Sequence, residues 1–369
     1  MVDVAIIGGG LAGLINAILL ARGGLSVLLV EKKSYPFHRV CGEYISNEVV
    51  PFLSRNRLFP AHIDVSDIKK FLLTSTSGKQ AHLDLDLGGF GISRYEFDHF
   101  LYQKALEAGV ECMTNTTVED VKFTDNHFVI NTGASEVFSK LVIGAHGKRS
   151  RIDKKLNRGF IHSKSPYLAV KYHIKTDFPH DTIALHNFDG GYCGISKVEN
   201  ETYNLCYLSH RRNMKKHKAI GEMEETILFK NPFLKNIFEH SDFVFERPLV
   251  INEISFENKL PVENHMLMCG DAAGMVTPLC GNGMAMAIHS ASILSQIILQ
   301  HKKMDGFVLE KIESTYQKSW EHYFSFRMWA GRRIQTLFGS VPASGLAVAM
   351  ANLKPIGRSL VSLTHGKEF

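Results

Sequence analysis

The chain has 369 residues, 45% hydrophobic and 21% charged, the balance of a folded globular protein that is too long for one ordinary core. Its net charge of +5 is concentrated: Arg327, Arg332, Arg333, Lys354, Arg358 and Lys367 stand between His322 and Lys367 without an acid, so this stretch carries +6 and the rest about −1. No nucleic-acid motif accompanies that charge, the N-terminus MVDVAIIGGG lacks the basic start of a signal peptide, and no apolar run reaches the roughly 20 residues a membrane-spanning helix needs.

In chain order, residues 3 to 8 (DVAIIG) form a short apolar run expected as a buried parallel strand, and Leu11 to Arg22 a helix stopped by Gly23 and Gly24. LSVLLVEKK restores a strand from Leu25 to about Glu31, completing a β-α-β unit. HLDLDL alternates from His82 to Leu87 as a half-exposed strand, and RYEFDHFLYQKALEAG reads as a helix ending at Gly109. Two strands with a turn at Asp125 and Asn126 follow, then the buried strand of SKLVIGAHGKRS. From Tyr167 to Arg247 the strands become longer and more polar (YLAVKYHI, YNLCYLSH) around a helical KAIGEMEETILFK, as suits an antiparallel sheet. After Glu253 the pattern returns to strand, glycine turn and long helix.

The fold class expected is therefore α/β: a Rossmann-like domain, discontinuous in sequence (1–70, 93–160 and 255–300), a largely antiparallel α+β domain (71–92 and 161–254), and a C-terminal helical segment (301–369). Six cysteines, Cys41, Cys112, Cys193, Cys206, Cys269 and Cys280, form no C-x-x-C pair; this argues against a zinc site and for a reducing, cytoplasmic setting. The histidines form no spaced ligand set, so no metal is expected.

Gly8-Gly9-Gly10-Leu11-Ala12-Gly13 is a G-x-G-x-x-G between strand and helix. Gly8 allows the tight turn, Gly10 the approach of a pyrophosphate and Gly13 the packing of helix on strand, while the helix N-terminus faces the phosphate charge. Glu31, 18 residues beyond Gly13, is placed to accept hydrogen bonds from a ribose. A second glycine turn, Cys269-Gly270-Asp271-Ala272-Ala273-Gly274, follows the apolar MLM and precedes Gly281, Asn282, Gly283 and a long helix. An acid at a strand end can hold polyol hydroxyls, and a second helix N-terminus can stabilise charge on a reduced ring, so the pair suits a ligand as long as FAD.

GGGLAG with Glu31, CGE at 41 to 43, SRYEFD at 93 to 98 and GDAAGMVTPLCGNG at 270 to 283 together resemble the flavoproteins built like para-hydroxybenzoate hydroxylase, most closely their geranylgeranyl reductase branch. The resemblance covers roughly residues 1 to 300 and implies FAD as cofactor, with Glu31 at the adenosine ribose, Asp271 on the ribityl or ribose side, Gly281 to Gly283 at the pyrimidine edge and Arg94 facing the cofactor. It also implies that Cys41 and Glu43 lie at the flavin as candidate catalytic residues, Gly42 between them allowing close backbone approach. His38 and Arg39 are neighbours suited to a phosphate or a reduced flavin.

Two departures bear on function. The A-D-G-x-x-S stretch associated with FAD and the nicotinamide cofactor reads Ala145-His146-Gly147-Lys148-Arg149-Ser150, and the aromatic Y-x-W-x-F-P segment keeps only Tyr192. The first reading is an FAD-dependent oxidoreductase acting on a hydrophobic, lipid- or polyketide-like substrate, with hydride transfer to a carbon–carbon double bond and a proton from Glu43, Tyr192 or water. A monooxygenase hydroxylating an aromatic or polyketide substrate is the alternative, and a non-catalytic flavin-binding protein a third. A halogenase is disfavoured because W-x-W-x-I-P is absent. NAD(P)H is expected as a transient reductant, or electrons arrive from a donor protein, since no second G-x-G-x-x-G occurs. The basic stretch shares its length with Tyr323, Phe324, Phe326, Trp329 and Phe338, so peripheral contact with an anionic lipid surface is expected beside the plainer outcome of a packed helix pair.

Overall fold

Val2–Ile7 is buried from Val4 onward, and in the computed structural model it lies mid-sheet, parallel to Val27–Val30 on one side and Glu136–Gly144 on the other. The structure describes residues 1–163, 165–277, 282–304, 306–335, 338–353, 355–357 and 366–369. The sheet continues to Glu111–Met113 at one edge and through Met266–Met268 to Val262–Glu263 at the other, with the hairpin of Asp120–Thr124 and His127–Asn131 hung from the early part of Glu136–Gly144. Met266–Met268 arrives from a distant part of the chain and pairs parallel with Glu136–Gly144.

Helix Leu11–Arg22 packs on this sheet and against helix Gly283–Gln300. Asn16, fully buried at their contact, accepts from the Ser295 hydroxyl at 2.9 Å, so the interface contains a satisfied polar pair. Gly283–Gln300 is by length and composition capable of crossing a membrane, and 61% of it is buried inside the molecule. Helix Leu309–Gln335 adds Tyr316, Trp320 and Phe324, four residues apart and hence on one face, to the same core.

Among the described residues the second sheet has nine strands, in the order Asp242–Phe243, Tyr167–Lys175, Tyr203–His210, Gly191–Lys197, Thr182–Phe188, Ser66–Thr74, Gln80–Gly91 and Tyr44–Ser46, with Leu249–Ile254 also on Tyr167–Lys175. All pairings are antiparallel except Thr182–Phe188 on Ser66–Thr74. Alternation sends Val170, Tyr172 and Ile174 to a face covered by helices Ile220–Ile227 and Pro232–His240. Ala169, Tyr192 and Leu208 face the other way, against helix Val341–Ala351 and Met275.

The expected boundaries need two corrections. Residues 1–70 do not all belong to the first sheet: Tyr44–Ser46 pairs with Gly89–Gly91 and Ser66–Thr74 with Gln80–Gly91, because the chain crosses to the second sheet directly after the CGE stretch. The C-terminal segment is not a unit either, since Leu309–Gln335 packs on the first core and Val341–Ala351 on the second sheet.

Candidate functional site

The turn after the first strand is built as the glycine spacing predicts. Gly8 has φ +105°, and a Cβ there would stand 2.5 Å from the Ala145 carbonyl oxygen; a Cβ on Gly13 would stand 1.9 Å from the Gly8 carbonyl oxygen. Gly10 is the N-cap of Leu11–Arg22 and supplies no side-chain cap, so the first turn keeps backbone N–H groups for a ligand. Glu31, buried, accepts from the Gly9 N–H at 2.8 Å and the Lys33 N–H at 3.1 Å.

Over this turn lies a chain of two acids and two arginines. Arg94 binds both oxygens of Asp98 (2.7 and 2.8 Å), and Arg39 donates to Asp98 at 2.8 Å, to the Gly9 carbonyl at 3.0 Å and to Glu31 at 3.3 Å. Burial opposes the Arg94 charge, yet Asp98 more than offsets it and the guanidinium is held above its ordinary range. Asp98 is the last residue of the quoted SRYEFD, but its role as the joint between Arg39 and Arg94 was not anticipated. His38, pressed against Tyr95 and His173, is pushed down to about 4 by burial and the neighbouring His173 and Lys171; it is neutral at pH 7 and supplies no cation for a phosphate.

The CGE stretch meets the second sheet. Glu43, fully buried, receives the Lys171 ammonium, the His173 Nε2 at 2.7 Å and the Arg94 N–H at 2.8 Å. Burial alone would raise its pKa; Lys171 and His173 outweigh that and bring it down to about 2. Glu43 is therefore an ionised anchor, and the expectation that it donates a proton is corrected. The left-handed residue here is Glu43 itself (φ 54°), whereas a Cβ on the exposed Gly42 would meet no protein atom within 4 Å. Asn204 donates to the Cys41 and Gly42 carbonyls at 3.1 and 2.8 Å, and the half-buried Cys41 thiol is within electrostatic reach of Arg94 and Cys206. Lys171, His173 and Asn204 were missed by sequence reasoning; the available signal was period-two alternation in YLAVKYHI, which puts Lys171 and His173 on one face.

At the second glycine turn, Gly270 adopts φ +63° and the half-buried Asp271 carboxylate receives no hydrogen bond from any described residue. Its backbone carbonyl accepts from Lys259, whose pKa burial lowers to about 8. Asn282 caps Gly283–Gln300 without a side-chain cap bond, its amide donating to buried Glu48 at 3.1 Å. Glu48 also holds Arg327 at 3.3 Å and the Gly366 N–H. Gly283 begins the helix, and Gly281 lies outside the described residues. Where the resemblance expects an acid, His146 instead bonds Asp153 at 3.1 Å, and Asp153 also takes Arg158 at 2.9 Å. Burial opposes that carboxylate's charge, but His146 and Arg158 hold it below the carboxylate range. Tyr192 lies on the same sheet face as Lys171, its hydroxyl 3.3 Å from the Gln335 side-chain oxygen.

Two uncapped helix N-termini, the bare Asp271 carboxylate and the open space at Gly42 fit a dinucleotide with a ring system at its far end. The comparisons agree. The family model described as an FAD binding domain matches residues 1–306. This chain belongs to the FAD binding domain family. FAD is its cofactor and it is an FAD-dependent oxidoreductase. Digeranylgeranylglycerophospholipid reductase 1 of Methanosphaera stadtmanae is 25% identical over 353 residues, covering 88% of this chain and 81% of that protein. A geranylgeranyl bacteriochlorophyll reductase-like structure from Thermoplasma acidophilum has a TM-score of 0.79 at 17% identity, covering 100% of this chain and 96% of that one. A flavin-dependent brominase has a TM-score of 0.78 at 20% identity, covering 98% and 93%. These two structures share the fold with members of the FAD binding domain family such as this one.

Proposed function

We propose that this oxidoreductase reduces a carbon–carbon double bond in a lipid-like substrate. Bound FAD, once reduced, supplies the hydride. The observation that carries the reading is one continuous sheet face: Ala169, Leu208, Leu185 and Tyr192 make an apolar floor under helix Val341–Ala351, and the same face runs on to Lys171, His173 and Asn204, which hold the CGE stretch. Gly194 and the half-buried Cys206 lower the middle of that floor, and a Cβ on Gly194 would meet only backbone oxygens at 3.7 and 3.9 Å. An isoprenoid-like chain on this floor would have to share it with helix Val341–Ala351, which covers its apolar part, and the name of the Methanosphaera relative points to that substrate class.

In this reading Glu43 stays ionised and fixes the CGE backbone, while Tyr192, at the border of the floor, is the candidate proton donor. We place the protein in a reducing, cytoplasmic setting, fed by NAD(P)H or by an electron-donor protein. Lipid-surface contact is supported by Tyr323, Phe326 and Trp329, 47%, 60% and 51% exposed and three residues apart on helix Leu309–Gln335, with Arg332 and Arg333 beside them. Arg327 is tied to Glu48 and takes no part, and Lys354 and Arg358 lie outside the described residues. Cutting the chain after Glu321 would remove the buried Phe324, so the surface is tested with Phe326→Ser/Trp329→Ser: lost sedimentation with anionic vesicles supports it, and unchanged sedimentation ends it.

The function itself is tested by reducing the FAD-loaded protein without oxygen, using NADH, NADPH or dithionite, and adding a geranylgeranyl lipid. Reoxidation of the flavin with two hydrogens gained by the lipid is the expected result. Reoxidation only on admission of oxygen, with one oxygen atom gained by an aromatic substrate, would replace it with the monooxygenase reading.

A further inference from the structure

The face of the second sheet turned away from the CGE stretch holds a cavity of its own, of about 310 Å³, between strand Tyr167–Lys175, helices Ile220–Ile227 and Pro232–His240, and the segment around Phe243–Pro248. Its walls are aromatic: Tyr172, Phe229, Phe238, Phe243 and Phe245. The rings touch one another, Tyr172 edge-on to Phe243 at 4.9 Å and Phe238 at 5.6 and 5.7 Å from Phe229 and Phe243. Every charged residue among those described in the lining is an acid: Glu224, Glu225 and Glu246.

Glu224 makes this more than an acidic patch. It is 5% exposed, and one carboxylate oxygen, Oε1, accepts both phenols, Tyr207 at 2.7 Å and Tyr172 at 3.0 Å. The other oxygen receives no hydrogen bond from any described residue, although the side chain lines the cavity. That oxygen is not sealed in the protein but open to the cavity, where a ligand can reach it. An anion would meet three carboxylates. A bare metal ion would find no suitable cluster, since among the described residues no group of three or more His, Cys, Asp and Glu could hold one. A neutral apolar molecule would leave the oxygen unanswered. A cation with apolar substituents answers the carboxylate and is attracted by ring faces at once.

We propose that this cavity is a second ligand site, which takes a small organic cation, an ammonium bearing apolar substituents, with its charge at Glu224 and its substituents among the phenylalanine rings. The site lies across the sheet from Glu43, with the Phe245 ring at its border also packed on His173 and His38, and it does not rest on the reductase reading. Burial raises the Glu224 pKa to about 7 although Tyr207 and Tyr172 pull it back part of the way, so the empty site is half protonated near neutrality. Binding of a cation favours the ionised form and expels that proton. Affinity therefore rises with pH, by about tenfold between pH 6 and pH 8 for a midpoint near 7.

The test is calorimetric titration of the full-length, FAD-loaded protein with choline and with its uncharged isostere 3,3-dimethylbutan-1-ol. Choline is expected to bind, to tighten with pH as stated, and to exceed the isostere by about tenfold or more. Glu224→Gln keeps an acceptor for both tyrosines and should weaken choline and abolish the pH dependence. Phe243→Ser, at the exposed rim, should weaken choline severalfold with the circular dichroism spectrum unchanged. Equal binding of the isostere, unchanged choline affinity in Glu224→Gln, or no choline binding at millimolar concentration would each overturn the proposal.

Discussion

Lys171, Tyr172 and His173 are consecutive residues of one strand, and the carboxylates they meet on the two faces of the sheet are in opposite conditions. On one face Glu43 is enclosed by Lys171 and His173 and held down to about 2; on the other Glu224 accepts from the phenols of Tyr207 and Tyr172, and burial pushes it up to about 7. Both are buried, so desolvation is common to them and the neighbours decide the sign. The cationic face fixes a loop against the cofactor domain. The phenolic face leaves a proton to be gained or lost near neutral pH.

The largest effect should come from Lys171→Met, which strands the Glu43 charge without its ammonium and should cost about 3–5 kcal/mol in urea unfolding at pH 7. Adding Glu43→Gln should return much of it; a single variant within about 0.5 kcal/mol of the parent would mean that the two faces do not differ. Next is Glu224→Gln. The Glu224 carboxyl is neutral in both states below its unfolded value of about 4.5, and its contribution is lost as pH rises through about 7. The variant should therefore gain on the parent across that window, by about 2–3 kcal/mol, and parallel unfolding profiles between pH 4 and 8 would refute the raised carboxyl. Glu43→Gln should behave in the opposite sense, since the Glu43 contribution is present above about 4.5 and fades as pH falls towards about 2.

A smaller effect is expected of Asn204→Ala, which removes two donors to the Cys41 and Gly42 carbonyls: about 1–2 kcal/mol, with faster amide hydrogen exchange confined to residues 38–46. Unchanged exchange there would mean that the cationic face holds the loop by Glu43 alone. Tyr207→Phe should cost least, about 1 kcal/mol, while shifting the Glu224 midpoint upward, because the lost hydroxyl favours the ionised form. A midpoint that falls would contradict the assignment of Tyr207 as donor.

What could be read beforehand was what is local. The β-α-β unit and the steric roles of Gly8 and Gly13 lie within one short stretch, and each is dictated by backbone sterics. The state of Glu43 was not legible, because its ammonium comes from a residue 128 positions away, and a lysine in a strand carries no local sign of being buried. The same limit hid the crossing of Tyr44–Ser46 to the second sheet, which depends on pairing with Gly89–Gly91. His146 stands where the resemblance expects an acid, and the acid it bonds, Asp153, forms a capping box with Ser150 that was already written in the sequence.

The cluster around Glu48 sets an order of events during synthesis. Its guanidinium partner, Arg327, follows it by 279 residues, and its amide partner, Asn282, by 234. At roughly 5–20 residues per second, a ribosome takes on the order of tens of seconds to cover that interval. Until then the Glu48 carboxylate must remain in water. The corner where helix Gly283–Gln300 begins is therefore expected to close only after Arg327 has been made.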